Sequence, residues 1–308
     1  MNLQITPYKY VYIIGCGDVG ERVALRWQAE GIVSTGLVAT EASLERLRSR
    51  GIKGLRLDLD SPKPVALKFS PDSLVYYFVP PPVEGIRDSR CQHFLASLWE
   101  RAAEQANLPK RIVAISTTGV YGDCGGEKIN EEQIPNPVAD RALRRFDMEN
   151  QLREWCVQHT VRLVILRVAG IYGPQRLPLQ RIQKAIPVLH EALAPNTNRI
   201  HEEDLADICV AAAKVDTAFR VYNVSDGTDS NMTAYFYALA DHFKLTRPPA
   251  VDWQEAERVM SAGMLSYLKE SRRIDNTRML KELAIQLRYP DLEKGLSEIS
   301  LDMIDNDD

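Results

Sequence analysis

Short apolar runs alternate along the chain with longer amphipathic segments. Tyr10, Val11, Tyr12, Ile13 and Ile14 form a run that stops at Gly15 and reads as a buried strand. Residues 19–30 follow, with Val19, Val23 and Trp27 at helical spacing. Further strands are predicted at 33–38, 55–59, 74–79, 111–116 and 162–168, the third of these stopped by Pro80, Pro81 and Pro82. Helices are predicted at 43–50, 91–106 and 140–159. Strands separated by helices of about ten or more residues imply βαβ units, hence an α/β fold with a doubly wound parallel sheet of about seven strands. Residues 171–198 are rich in Pro and Gln and break the rhythm. A helix at 203–214 and a strand at 221–224 restore it. Ser230 is a candidate N-cap for a helix through Phe243, and the last 60 residues read as helices and loops. A smaller lobe built from two separate pieces is therefore expected.

Composition narrows the possibilities. The chain has 308 residues, 45% hydrophobic and 26% charged, the mix of a globular protein with a sizeable core. Its longest apolar stretch, at 74–79, falls far short of the roughly 20 residues of a membrane span, and no basic segment followed by an apolar one opens it. The net charge of −4 is matched by four acids of the tail, Asp302, Asp305, Asp307 and Asp308, so the body is balanced. A nucleic-acid or acidic-membrane partner would want a concentrated basic field, and none is visible. Five scattered cysteines without a CxxC pair point to free thiols in the cytoplasm. Five scattered histidines give no metal-ligand spacing, so no metal is expected.

The strongest chemical signal is Gly15-Cys16-Gly17-Asp18-Val19-Gly20, a G-x-G-x-x-G run between a predicted strand and a predicted helix. In that setting the first glycine permits the turn and the second lets a pyrophosphate approach the backbone. The third lets the helix pack on the strand, and the helix N-terminus faces the phosphates. NAD or NADP is the expected cofactor. An acid about 20 residues on would favour NAD. Val38 and Ala39 stand there, with Glu41 just beyond and Arg46 and Arg48 further along, so the choice stays open. Asp58, at the end of the third strand, is either an acceptor for the adenine amino group or a solvated carboxylate. Leu59, Val79, Pro80 and Val168 are further candidate cofactor contacts on the same edge.

Five ordered motifs carry a family resemblance. Residues 115–122 read I-S-T-T-G-V-Y-G and residues 166–174 read L-R-V-A-G-I-Y-G-P. Residues 199–206 read R-I-H-E-E-D-L-A, residues 222–227 read Y-N-V-S-D-G, and residues 273–279 read R-I-D-N-T-R-M. Together they resemble the extended short-chain dehydrogenase/reductase family, which includes NAD-dependent nucleotide-sugar epimerases and dehydratases, from residue 10 to about 295. The resemblance implies a Rossmann-like NAD(P)-binding domain over 8–171 and 200–227. It implies a substrate-binding lobe over 172–199 and 228–300, with 301–308 an acidic tail. It also implies a small-molecule substrate, possible homodimers, and a catalytic Ser/Thr followed by Tyr-x-x-x-Lys.

One departure stands out. Thr117 falls on the Ser/Thr position. Alignment on Glu149 puts Arg145 at the Lys position and Arg141 at the Tyr position, so the motif reads R-x-x-x-R. The family Tyr acts as a base because a neighbouring Lys lowers its pKa, whereas Arg has no acceptor and stays charged. Arg145 retains the capacity to hold the nicotinamide ribose. Arg141 would offer a positive charge to an anionic substrate, unless Arg141, Arg144 and Arg145 form a solvated basic face. Tyr121 and Tyr172 are substitute acids or structural residues. His201 is a substrate contact or, more simply, a partner of Asp204. Cys16 and Cys124 read as inert. Such a chain resembles the atypical members of the family. Two readings stay open: an oxidoreductase or epimerase of nucleotide-sugar-like or other small anionic substrates, or a non-enzymatic dinucleotide-binding protein.

Overall fold

A computed structural model describes residues 8–61, 67–99 and 108–300. Seven strands, β1 (Tyr10–Ile14), β2 (Val33–Val38), β3 (Lys53–Arg56), β4 (Ser73–Tyr77), β5 (Arg111–Thr117), β6 (Arg162–Val168) and β7 (Phe219–Val224), form one sheet in the order β7-β6-β5-β4-β1-β2-β3. Every pairing is parallel, with Tyr10 opposite both Val33 and Ser73 and Arg111 opposite both Leu74 and Arg162. The order reverses between β1 and β4, which opens a crevice at the carboxyl edge.

Helices cover both faces, as a parallel sheet requires. They are α1 (Asp18–Ala29), α2 (Glu41–Ser49), α3 (Ser89–Trp99), α4 (Asp140–Gln158) and α6 (Glu202–Lys214); α5 (Leu179–Gln183), between the last two, packs in the lobe. The lobe adds α7 (Met232–His242), α8 (Trp253–Val259), α9 (Ala262–Leu268), α10 (Thr277–Glu282) and α11 (Leu292–Ser297). One apolar cluster joins Val23, Trp27 and Tyr76 to Ile208 and Cys209. The other joins Tyr77 and Ile112 to Phe94, Leu152 and Trp155 on the opposite face. Two smaller clusters sit in the lobe, around Phe236 and Leu239 and around Leu189 and Met260. Met279 and Leu283 return to the sheet cluster, bringing α10 against β7.

Three sequence expectations shift. The third strand ends at Arg56, so Asp58 lies in a turn, its Oδ1 accepting the Asp60 N–H at 2.9 Å. The second helix opens at Glu41 because Thr40 caps it, accepting from Ser43 N–H at 3.2 Å. Asn231, not Ser230, caps α7, its Oδ1 accepting the Ala234 N–H at 2.8 Å, while Ser230 pairs with Thr197 in a short ladder. Residues 100–106 of the predicted third helix and the acidic tail 301–308 lie outside the described residues.

The two helices α1 and α6 over one sheet face share, besides ion pairs between Arg22, Arg26, Glu202 and Glu203, one buried hydroxyl. Buried Tyr76 Oη accepts from Trp27 Nε1 of α1 and donates to the Cys209 carbonyl of α6, both at 3.0 Å. Tyr76→Phe leaves a buried donor and a buried acceptor unpaired. A stability loss of about 1–3 kcal/mol is expected, read as a lower urea midpoint with an unchanged slope.

Candidate functional site

The Gly-rich turn is built from three glycines with different local reasons. Gly15 has φ of +80°, and a Cβ there would sit 2.8 Å from the Val79 nitrogen, so the close approach of the β1 and β4 ends demands it. The Gly15 and Cys16 amides donate to the Leu37 carbonyl at 2.9 and 3.2 Å, which ties the turn to β2. At Gly20 a Cβ would meet Ile13 Cγ2 at 3.0 Å and Cys16 Sγ at 3.3 Å, so glycine lets α1 settle on β1. Gly17 differs from both. Its φ of −84° suits any residue, and a Cβ there would meet nothing within 4 Å. The fold of this chain therefore gives no reason for glycine at 17. A ligand pressed against the backbone does, and the residues present fit a dinucleotide phosphate.

A cavity of about 320 Å³ opens at this turn, lined by Gly15, Cys16, Gly17, Asp58, Leu59, Val79 and Pro80 of the predicted cofactor residues. Ala39, Ser43 and Arg46 line it beyond the end of β2. Asp18, Val19 and Gly20 continue into α1, and Val168 is buried in the core. Glu41 faces Arg48 at 3.3 Å instead of entering the cavity. Cys16 is buried and its thiol is pushed up to about 12, by burial first, so it is an inert filler. Asp18 is paired with Arg22 at 3.2 Å and with Arg176 at 3.1 Å. Arg176 also reaches Glu202 at 3.3 Å, linking the chain after β6 to the Gly-rich turn.

A second cavity, of about 650 Å³, lies at the ends of β5 and β6 under the lobe. Thr117 and Thr118 line it, and Thr117 Oγ1 accepts the Gly119 N–H at 3.1 Å, which leaves the Thr117 hydroxyl proton free to be donated. Arg145 donates from Nη1 to the Val79 carbonyl at 2.8 Å, so α4 brings it to the β4 end, although it is not among the lining residues of either cavity. Burial pulls its pKa down, with Asp88 acting against that.

The basic helix face is not solvated. Arg144 is buried and donates to the Gly85 carbonyl. Arg141 is not a free charge at the cleft mouth either. It donates to Ser266 Oγ at 2.6 Å and its guanidinium lies 3.6 Å from the centre of the Tyr267 ring. The residue at the family Tyr position is thus bound to α9 of the lobe.

Four further arginines, Arg176, Arg181, Arg199 and Arg272, line the second cavity, together with Tyr267 and Glu270. Sequence reasoning gave none of them a role: Arg199 entered only as the first residue of a motif, and Arg176, Arg181 and Arg272 stand outside the motifs. Arg272 is matched by Glu270 at 3.0 Å. Arg181 and Arg199 have no carboxylate within ion-pair distance among the described residues, and Arg181 Nε is buried without an acceptor. Each lies over an aromatic ring, Phe236 at 4.7 Å and Tyr235 at 3.8 Å. Cationic groups held this way suit an anionic ligand.

The remaining candidates are structural. Tyr121 is buried and donates to Asn223 Oδ1 at 2.7 Å, and Tyr172 donates to the Asp291 carbonyl at 3.2 Å. Burial raises both phenols. Burial also raises the Cys124 thiol. His201 does not pair with Asp204. Its Nδ1 accepts the Glu203 N–H at 3.2 Å and caps α6, while Asp204 accepts the Arg288 and Tyr289 amides at 2.8 and 2.9 Å. Packing against Tyr172 and Tyr289 buries the imidazole and lowers its pKa from 6.5 to about 4. Protonation would also cost the cap. The unfolded chain takes the proton first, so the stability carried by neutral His201 is whole above pH 6.5 and is lost as pH falls toward 4. His201→Asn keeps a capping oxygen without the titration. Its melting temperature is expected to fall less than that of the parent between those two pH values.

Residues 93–225 match the model of the NAD dependent epimerase/dehydratase family. Protein YeeZ of Escherichia coli (strain K12) is 25% identical over 289 residues, covering 92% of this chain and 97% of that protein. A functionally unknown conserved protein from Silicibacter pomeroyi DSS superposes with a TM-score of 0.80 at 26% identity, covering 96% of this chain and 99% of that one. UDP-glucuronic acid 4-epimerase from Bacillus cereus, solved with NAD, has the same fold, with a TM-score of 0.72 at 15% identity over 96% of this chain and 98% of the epimerase. Residues 93–225 are thus similar to the NAD dependent epimerase/dehydratase family, and the whole chain has the α/β, Rossmann-like fold of the solved structures on which it superposes.

Proposed function

We propose that this protein is an NAD(P)-dependent oxidoreductase or epimerase of a small anionic, nucleotide-sugar-like substrate. The observation that carries the reading is Gly17, a glycine that neither backbone conformation nor packing requires, on the wall of the 320 Å³ cavity. The dinucleotide lies across the switch point on residues 15–20, with Asp58, Leu59, Val79 and Pro80 along its course and Val168 behind the edge. When bound, the nicotinamide supplies a hydride donor or acceptor. The family match and the NAD held by the Bacillus cereus epimerase support this assignment.

The chain's own residues then have distinct parts. Thr117 donates to a substrate hydroxyl or carbonyl oxygen. Arg145 holds the cofactor ribose. Arg181 and Arg199 hold the substrate's anionic group, the part first expected of Arg141. Arg141 acts as a strap between α4 and the lobe. With no Tyr at position 141, proton transfer falls to water or to another group in the second cavity. The reading divides the chain into a cofactor domain, 8–171 and 200–227, and a substrate lobe, 172–199 and 228–300. The apolar clusters on the two sheet faces and in the lobe support that division, except that Met279 and Leu283 of the second lobe piece pack with the sheet. Among the described residues no helix is long and apolar enough to cross a membrane, and five free cysteines fit a reducing cytoplasm. A homodimer through paired helices belongs to the same reading, supported by the family resemblance.

The strap favours a second reading, a dinucleotide-binding protein without catalysis, because Arg141 is spent on Ser266 and Tyr267. Titration with NADH and NADPH, followed by nicotinamide fluorescence and thermal shift, tests what both readings share. Saturable binding is expected. Gly17→Val should melt with the parent and bind at least about tenfold more weakly, since a side chain there occupies the phosphate's place. No binding of either dinucleotide at millimolar concentration, or unchanged binding by Gly17→Val, would contradict the assignment. Turnover of a nucleotide sugar by the parent then separates the first reading from the second.

A further inference from the structure

The geometry points to a ribose 2′-phosphate subsite at the β2 end of the 320 Å³ cavity, so that the chain takes NADP(H) in preference to NAD(H). This inference rests on the dinucleotide reading above and deepens it.

The first observation is what stands after β2. A dinucleotide's adenosine ribose lies at the end of the second strand, where a carboxylate receives the 2′-hydroxyl in NAD sites. Here Ala39 follows Val38 and lines the cavity, and Thr40 spends its hydroxyl oxygen capping α2. The next carboxylate along the chain, Glu41, pairs with Arg48 at 3.3 Å and is not among the residues that line the cavity.

The second observation is a prepared cation. Arg46 lines the same end of the cavity beside Ser43. Its Nε donates at 2.6 Å to Oε1 of Glu21, a carboxylate on α1 that is itself 1% exposed. Arg50 holds the other oxygen of Glu21 at 3.2 Å. The buried carboxylate is thus matched by two guanidiniums, and it fixes Arg46 through one nitrogen only. Nη1 and Nη2 of Arg46 have no acceptor among the described residues. A guanidinium held by its Nε and open at both terminal nitrogens is set up for bidentate contact with a phosphate. Arg56 donates to the Ala39 carbonyl at 3.3 Å, which places a second guanidinium at the same corner.

Two acids, Asp58 and Asp60, line the same cavity. Asp60 takes both of its oxygens to Arg90, at 2.6 and 2.8 Å, and Asp58 Oδ1 is occupied by the Asp60 amide. A 2′-phosphate carries roughly −1.5 to −2 charges at neutral pH, so an open guanidinium discriminates it strongly from a hydroxyl. Glu21 is a positioning residue in this account and Arg46 the contact.

Competitive titration of the intact protein with NADPH and NADH decides the matter, with two variants. The parent is expected to bind NADPH at least about tenfold more tightly than NADH, and Arg46→Ala to weaken NADPH by about tenfold while changing NADH less than about twofold. Ala39→Asp alters an exposed position and leaves the Glu21 cluster intact. It should reverse the preference by repelling the phosphate and receiving the 2′-hydroxyl. Equal or tighter binding of NADH by the parent would overturn the inference and leave the dinucleotide reading standing. So would an equal loss of both ligands in Arg46→Ala, which would mark Arg46 as support for Glu21 alone. Absence of binding by either dinucleotide would overturn both.

Discussion

One buried ion pair holds the separate motifs of this chain in register. Arg167 at the end of β6 donates from Nη2 to Glu149 of α4 at 2.7 Å, with both side chains nearly inaccessible. Burial works against the Arg167 charge, and the carboxylate more than offsets it, so the guanidinium is held firmly protonated. Stripping either partner would strand a buried charge, at a cost of about 3–5 kcal/mol. The pair does not stand alone. The Arg167 guanidinium lies 4.8 Å from the centre of the Tyr121 ring, and Tyr121 donates to Asn223 of β7. Asn223 donates to the Asp275 carbonyl at 3.3 Å and receives a carboxylate oxygen of Glu131 on its amide at 2.9 Å. Four of the five sequence motifs, and the α4 helix, thus each place a member in one polar network.

That network explains what the sequence could and could not reveal. Its members recur in recognisable strings because each must present one side chain to a common point. In the turn at 15–20, two glycines answer local geometry and the third answers neither backbone conformation nor packing. Strands β4 and β6 were legible because both their faces are buried, which leaves nearly continuous apolar runs bounded by breakers. The third strand was misplaced because Leu57 and Leu59 are buried beyond the strand's end, in the turn that Asp58 makes. The start of α7 was displaced by one residue because Ser and Asn are both good caps, and only the ladder with Thr197 chooses between them.

The site chemistry was less legible, for a physical reason. Position 141 could be read as lacking Tyr, but the partner of its Arg is 125 residues away on a short lobe helix. Position 46 could be seen to carry Arg, but its meaning depends on a buried Glu21 whose burial periodicity alone does not disclose. Arg181 and Arg199 become notable only when the lobe folds over them without a carboxylate. In each case the functional content lies in what a guanidinium is or is not paired with. The lobe is fastened to the sheet domain by the same chemistry, through Arg141 on Ser266 and through Arg272 on the Gly122 carbonyl at 2.6 Å.

The central claim is that a dinucleotide rests against the backbone of residues 15–20. Amide hydrogen exchange with and without saturating NADPH measures that contact directly. The account predicts slowed exchange at residues 16–20 and at the ends of β2 and β4, with the lobe helices α8 and α9 unchanged. Protection confined to the lobe, or none at residues 16–20 while the dinucleotide is bound, would contradict it.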